Sequence, residues 1–165
     1  MYRKIEDFLH DWAYETEMTL NVFKNLNDES FHRAFHDDHR TISRLSLHIT
    51  QSAGEMMHEA GLPLEKLALE PEDISAERIV GLYEKEAAAV KEAVMQNWTD
   101  EQLTEQIQMY GEEWTKGMAL GVLIRHQAHH RGQLTILMRQ AGLRVPGVYG
   151  PSKEEWEAMG MPALA

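Results

Sequence analysis

The 165-residue sequence contains no cysteine. This absence excludes a disulfide framework, a thiolate metal ligand and a cysteine nucleophile. Long hydrophobic runs are also missing: no stretch of about 20 apolar residues exists, so we expect no transmembrane helix. Residues 1–7 lack the apolar core of a secretion signal. Together these absences predict a cytoplasmic protein without a membrane partner.

Basic side chains are scarce, with 16 Lys and Arg against 27 Asp and Glu and a formal net charge of −11. Phosphate binding needs a basic face, so the balance argues against a nucleic acid partner. Most of the excess lies in residues 59–113, which hold 14 acidic and four basic side chains. We interpret this run as solvated helix faces.

Hydrophobic residues recur at helical spacing in four long segments, and no segment shows a convincing strand alternation. The third segment follows Ser75, a good N-cap residue. Four helices of roughly 20 residues predict an all-α fold, an antiparallel four-helix bundle that forms a single domain over residues 1–165. The segments cover about residues 2–26, 38–61, 75–97 and 116–140.

Two regions outside these segments carry weaker patterns. The polar stretch 99–116 is expected to hold a short helix after Asp100 and an extended turn around Gly111. A short C-terminal tail from Arg144 onward should pack back on the bundle. Ser152 should cap a last helical turn in this tail.

Three histidines fall within five residues of the fourth predicted helix: His126, His129 and His130. Positions i and i+4 share a helix face, so His126 and His130 are presented together, as in a bidentate grip on a transition metal. Their stripe is otherwise largely apolar and should face the core, where buried imidazoles need a partner such as a metal. The stripe comprises Ala119, Leu123, His126, His130, Leu137 and Ala141, with Gln133 and Leu134 along it.

A zinc ion that also binds water needs at least three protein ligands. His48 lies beside the core stripe in the middle of the second predicted helix, and we interpret it as the third ligand. The remaining histidines have polar surroundings and are expected to be exposed. They are His10, His32, His36, His39 and His58.

Two alternatives stay open from the residues alone. His126 and His130 could be core histidines that are hydrogen-bonded to backbone or carboxylate groups. His129 could also replace His130 as a ligand, since positions i and i+3 share a face. The motif is not the His-Glu-x-x-His of zinc proteases, because Gln127 stands where the glutamate base would be, so peptide hydrolysis by that route is not expected.

At residues 45–49 and 126–134 the sequence resembles the DinB/YfiT-like superfamily of bacterial four-helix metal-binding domains. The tail residues 149–152 also resemble the end of many members. The likeness covers essentially the whole chain, and its fourth-helix motif is the more specific part.

The resemblance implies that His48, His126 and His130 are the metal ligands and that the ion is nickel or zinc, with water completing its shell. It also implies a homodimer, since many members are dimers. The first helix carries Phe8, Trp12 and Phe23 and could offer a surplus apolar face to a second copy.

Characterised relatives include thiol S-transferases that use bacillithiol, mycothiol or glutathione. We therefore predict a divalent-metal-dependent enzyme that activates a low-molecular-weight thiol, or water, for transfer to an electrophilic small-molecule substrate. A chain without cysteine must take such a nucleophile from outside, and a metal can activate it. The alternatives are a non-catalytic metal or small-molecule binding protein, and a structural or interaction bundle with core histidines.

Three further residues have two interpretations each. Tyr110 and Trp114 precede the ligand helix and could line the mouth of the site or cap the bundle core. Arg131 could pair with an anionic thiol or lie at the surface, and we interpret it as a surface residue.

Overall fold

The computed structural model describes residues 1–38 and 40–163. Its elements are α1 (Ile5–Phe23), α2 (Asp28–Phe31), α3 (Ile42–Glu59), α4 (Ala76–Asn97), β1 (Gln106–Met109), β2 (Glu112–Thr115), α5 (Lys116–Gln140) and α6 (Lys153–Ala158), with 3-10 turns at Pro71–Asp73 and Glu101–Thr104. The four long helices form the predicted bundle, and the short turn after Asp100 is present. Among the described residues, no helix is long and apolar enough to cross a membrane.

Hydroxyl side chains begin three of the long helices. Thr41, Ser75 and Thr115 each accept a hydrogen bond from the backbone N–H three residues later, which satisfies one of the free donors of the first turn. After α3 and α5 the chain turns through Gly61 and Gly142, both with positive φ, a conformation that glycine adopts without strain.

The helix directions follow from hydrogen bonds near their ends. The backbone N–H of Tyr2 donates to the Gly117 carbonyl, and both lie at the start of their helices, so α1 and α5 run in parallel. The Ile5 N–H donates to Asp100, which follows α4, so α1 and α4 are antiparallel. Tyr110, just before α5, bonds Glu55 near the end of α3, so α3 and α5 are antiparallel.

It follows that α3 and α4 run in parallel, although they are consecutive long helices in contact. The segment 60–75 must therefore return along the length of the bundle before α4 begins. The predicted four-helix bundle is confirmed, but its antiparallel arrangement holds only in part. The pairs α1–α5 and α3–α4 are parallel, because a connection of this length permits a crossover.

Phe8, Trp12 and Phe23 of α1 are buried within the single chain, whereas Tyr14 is exposed. Phe8, Trp12 and Phe23 are at most 2% exposed, and the Phe23 ring packs edge-on against Tyr83 at 5.4 Å. Full burial of a large apolar side chain contributes roughly 1.5–3 kcal/mol. These residues therefore stabilise the core of one bundle and offer no surface to a second copy, and the homodimer stays a prediction without their support.

A two-stranded hairpin joins α4 to α5, where no strand was expected. Strands β1 and β2 pair antiparallel, with Ile107 opposite Trp114. The two-residue loop Tyr110–Gly111 has positive φ at both positions, as a tight hairpin turn requires. Each strand has only four residues, which is too short for the period-2 pattern to stand out in the sequence.

The C-terminal tail packs back on the bundle as predicted. The Tyr14 hydroxyl donates to the Val148 carbonyl, and the Tyr14 and Tyr149 rings stack at 6.1 Å. Ser152 caps α6 in a reciprocal capping box with Glu155.

Candidate metal centre

The fold brings His48, His126 and His130 together between α3 and α5. The Nε2 atom of His130 lies 3.0 Å from Nε2 of His48 and 3.2 Å from Nε2 of His126. Among the described residues this is the group of three potential ligands whose donor atoms all lie within 4.8 Å of one another. The two helices thus aim three ring nitrogens at one small volume.

These separations match those of nitrogens that share one metal ion. With metal–nitrogen bonds of about 2.0–2.1 Å, two ligand nitrogens lie about 2.9 Å apart at a right angle and about 3.4 Å apart at a tetrahedral angle. Both Nε2 separations of His130 fall within this interval. Two of the three separations therefore match a shared divalent ion, and the third nitrogen pair lies within 4.8 Å.

Gln133 fixes the tautomer of His130. The Nδ1 atom of His130 lies 2.7 Å from the Oε1 carbonyl oxygen of Gln133, one turn along α5. An amide carbonyl only accepts, so Nδ1 carries the proton and Nε2 of the neutral ring keeps its lone pair. The Gln133 amide nitrogen lies 3.2 Å from Nε2 of His129, which holds the carbonyl in this orientation. A hydrogen bond of this kind to the outer nitrogen is common for metal-ligating histidines.

Hydrogen bonding among the three rings cannot satisfy the cluster. The unprotonated Nε2 of His130 has one lone pair and faces two other ring nitrogens at hydrogen-bond distance. This lone pair accepts one good hydrogen bond, from either His48 or His126. The Nε2 atom of the remaining ring then has no partner at His130. An ion at the common point engages all three nitrogens, so the core-histidine alternative is the less satisfactory one. Nδ1 of His126 is buried and has no hydrogen-bond partner among the described residues.

The imidazoles are kept neutral by their surroundings. Burial lowers the pKa of His48 and of His126 to about 4, and the adjacent His130 adds to both shifts. Burial also lowers the pKa of His130, against the opposing effect of its Gln133 hydrogen bond. The positive charge of Arg40 contributes in the same direction at all three rings. Near pH 7 the lone pairs are therefore available for a metal.

These shifts predict a pH dependence of stability for the metal-free protein. Below about pH 6.5 the unfolded chain takes up protons at His48 and His126, whereas the folded chain does not until about pH 4. The free energy of unfolding should therefore fall as the pH decreases from 6.5 to 5, above the range where carboxylates titrate. Urea denaturation measures it. The double variant His48→Gln/His126→Gln should show a smaller decrease, and an equal decrease in both proteins would contradict the assignment.

The centre of the buried face of α5 is polar, which the sequence reading missed. His126 and His130 are half-buried at its edge toward α3, whereas Gln127 and Arg131 are fully buried. The Gln127 side chain donates to the Ile49 carbonyl and accepts from the Tyr83 hydroxyl. The expectation that the histidine stripe is the core-facing centre is therefore only partly correct.

Arg131 is not a surface residue, and that interpretation is wrong. Its side chain is 1% exposed and forms an ion pair with Glu15 at 2.6 Å. It also donates to Thr19 and to the Tyr149 hydroxyl, which in turn donates to Glu15 at 2.5 Å. With these partners the arginine is already satisfied and points away from the three histidines, toward α1 and the tail. It therefore ties three parts of the chain together.

The other histidines lie where the sequence predicts. His129 is exposed, as are the four remaining described histidines, and none of them joins the cluster. They are His10, His32, His36 and His58. The prediction for His39 lies outside the described residues.

Tyr110 and Trp114 lie on the hairpin, with ring centroids 5.9 Å apart. The Tyr110 hydroxyl donates to Glu55, two turns along α3 from His48, and the Trp114 indole donates to Glu112. A cavity opens instead on the other side of His130, between the start of α3 and the later turns of α5, and neither aromatic residue lines it. Their role at the mouth of the site stays a prediction.

The sequence matches a family model and a known protein. The family model for the DinB family matches residues 1–162. The chain is 37% identical over 164 residues to the uncharacterized protein YrdA of Bacillus subtilis, and the alignment covers 99% of this chain and 98% of YrdA.

Solved structures share the fold. A DinB-like protein from Bacillus cereus is 40% identical and superposes with a TM-score of 0.83 over 90% of this chain and all of its own. YfiT from Bacillus subtilis, described as a probable metal-dependent hydrolase with an unusual four-helix bundle topology, is 15% identical, with a TM-score of 0.64 over 84% of this chain and 87% of its own. At that identity YfiT supports the bundle and its topology alone.

Proposed function

The chain belongs to the DinB family, and on that premise we propose that it is a metal-dependent enzyme. In this proposal His48, His126 and His130 hold a divalent ion, nickel or zinc. A low-molecular-weight thiol, or water, then reacts with an electrophilic small molecule at the site. The observation that carries the proposal is the convergence of three neutral ring nitrogens that cannot satisfy one another.

A divalent ion, when bound, supplies a Lewis acid that lowers the pKa of a thiol or water ligand toward neutrality. Three neutral imidazoles add no negative charge, so the site favours an anionic partner over a neutral one. Gln133 holds the His130 ring so that its Nε2 lone pair faces the other two rings. Leu45 and Leu137 form apolar walls of the adjoining cavity.

In the thiol reaction the sulfur forms a bond to the electrophilic carbon, and the thiol proton leaves to solvent. The group displaced from that carbon departs with its electron pair. The chain has no cysteine to provide the sulfur, so the thiol is a second substrate. Gln127 cannot act as a base, since it is an amide and its side chain is held by Ile49 and Tyr83.

Hydrolysis is the second candidate function, because Asp38 lines the same cavity and its carboxylate could accept a proton from an attacking water. YfiT, described as a probable metal-dependent hydrolase, is consistent with this candidate. Ester and amide substrates distinguish it from thiol transfer.

To test the proposal, metal-loaded protein is incubated with bacillithiol, mycothiol or glutathione and a panel of electrophiles, and the reaction rate is measured. We expect rates at least about a hundredfold above those of His126→Ala, since loss of a ligand removes the activation of the nucleophile. His129→Ala is the matched control, one histidine of the same motif outside the cluster. It should stay within a few-fold of the wild-type rate, because it loses only a contact that orients Gln133. If the wild type matches His126→Ala with every thiol and on ester and amide substrates, the protein is a non-catalytic binder and the proposal fails.

A further inference from the structure

The cavity beside His130 has the size and lining of a small-molecule site. Its volume is about 420 Å³, within the range of about 300–1,000 Å³ that is usual for ligand pockets. One wall is apolar and consists of Leu45, Ile136 and Leu137. Ile136 is 61% exposed, so this wall includes an apolar side chain that the fold leaves in water.

Arg40 brings a positive charge to the same cavity. Among the described residues, no carboxylate lies within 4.0 Å of its guanidinium, whereas the nearby Arg44 has a glutamate partner in Glu70. Arg40 and His130 line the same cavity, so the guanidinium lies beside the candidate metal centre, and its charge helps to lower the pKa of all three clustered histidines. An arginine without a counter-ion beside a metal centre lowers the affinity of that centre for a cation. An unpaired arginine at this position therefore does not help the site to bind a metal, which indicates another role for it.

Asp38 is the other charged residue that lines the cavity. Its side chain is 90% exposed, and a carboxylate oxygen lies 3.8 Å from Nδ1 of His36. Arg40 is exposed as well, so water screens both charges, and no ion pair joins Asp38 to Arg40. The positive charge in the cavity is therefore not neutralised within the described part of the chain.

We propose that Arg40 binds an anionic group of the substrate, a carboxylate or a phosphate, and sets the specificity of the site for acidic amphiphilic molecules. Leu45, Ile136 and Leu137 hold the apolar portion of the same molecule. A guanidinium matches both anions, because its planar donors pair with two oxygens at once. This inference rests on the proposed function for its biological meaning, but the binding that it predicts does not require the metal.

The experiment measures dissociation constants of three six-carbon probes for metal-free and metal-loaded protein by nuclear magnetic resonance titration. Hexanoate and hexyl phosphate carry the anion, and hexanamide is the neutral match. We expect at least one anion to bind the metal-free wild type about tenfold more tightly than hexanamide, as a charge-assisted pair contributes more than a neutral one. Which anion binds more tightly identifies the acidic group.

Arg40→Gln should remove the preference for the anion and leave hexanamide binding unchanged, whereas Arg40→Lys should retain part of it. Arg44→Gln is the matched control, because it removes the same charge near His48 from a residue that already pairs with Glu70. Arg40→Gln should also bind the divalent ion about three- to tenfold more tightly, since a nearby positive charge is gone.

The inference is overturned if metal-free wild type binds hexanamide as tightly as both anions, or if Arg44→Gln and Arg40→Gln reduce anion binding equally. Neither result would bear on metal binding or turnover, so the proposed function would stand. Conversely, a protein that binds no metal and catalyses no reaction, yet prefers anions through Arg40, would overturn the proposed function alone.

Discussion

Replacing His126 or His130 with alanine is expected to abolish stoichiometric binding of a divalent ion, from about one ion per chain to none. Each ring supplies one of three converging nitrogens, and two nitrogens on neighbouring helices hold an ion far less tightly than three. Isothermal titration calorimetry and metal analysis of untagged protein measure the stoichiometry.

His129→Ala provides the control for this result. His129 lies next to His130 in sequence but is exposed and outside the cluster. Its ring packs edge-on against the His130 ring at 4.8 Å, and its Nε2 atom lies 3.2 Å from the Gln133 amide nitrogen. The variant should keep one ion per chain with somewhat weaker affinity. Loss of the ion in His129→Ala together with its retention in His130→Ala would show that the ligand assignment is wrong.

Arg131→Met is expected to lower the free energy of unfolding by about 3–5 kcal/mol, because removal of one partner leaves a buried charge without compensation. Glu15 is 3% exposed and would lose its ion pair with Arg131, leaving it only the hydrogen bond from Tyr149. The double variant Glu15→Gln/Arg131→Met should recover much of this loss. Urea denaturation of both variants at pH 7 measures the difference.

Arg139→Met is the matched control for a surface pair. Arg139 binds Glu154 near the tail, and its side chain is 42% exposed, so its loss should cost less than about 1 kcal/mol. Equal destabilisation by Arg131→Met and Arg139→Met would contradict the buried network. So would a double variant that is less stable than Arg131→Met alone.

The helices of this bundle could be predicted because their signals are local. Ser75 and Ser152 cap helices where their hydroxyls can meet the third backbone N–H, and α5 spans the predicted residues 116–140. The pairing of His126 with His130 also follows from spacing alone, since four residues complete about one helical turn. The assignment of His48 as the third ligand depends on the tertiary fold. In the sequence, only its position beside an apolar stripe indicated that role.

The rest depends on contacts between distant residues. Arginine is usually a surface residue. The burial of Arg131 is explained by its ion pair with Glu15, which lies 116 residues away in the sequence. The sequence signal for this polar core is the spacing of Gln127 and Arg131, which at positions i and i+4 share one helix face. Arg40 lies in a connector without regular structure, and its position in the cavity beside His130 follows from how α3 and α5 meet.

A crystal structure of the untagged protein, with anomalous scattering data collected across the nickel and zinc absorption edges, tests the central claim most directly. We predict one anomalous peak per chain at about 2.0–2.2 Å from Nε2 of His48, His126 and His130, with an additional position open to water or a ligand. No peak between these rings from protein supplied with both metals, or a peak bound instead by His129, would contradict the account.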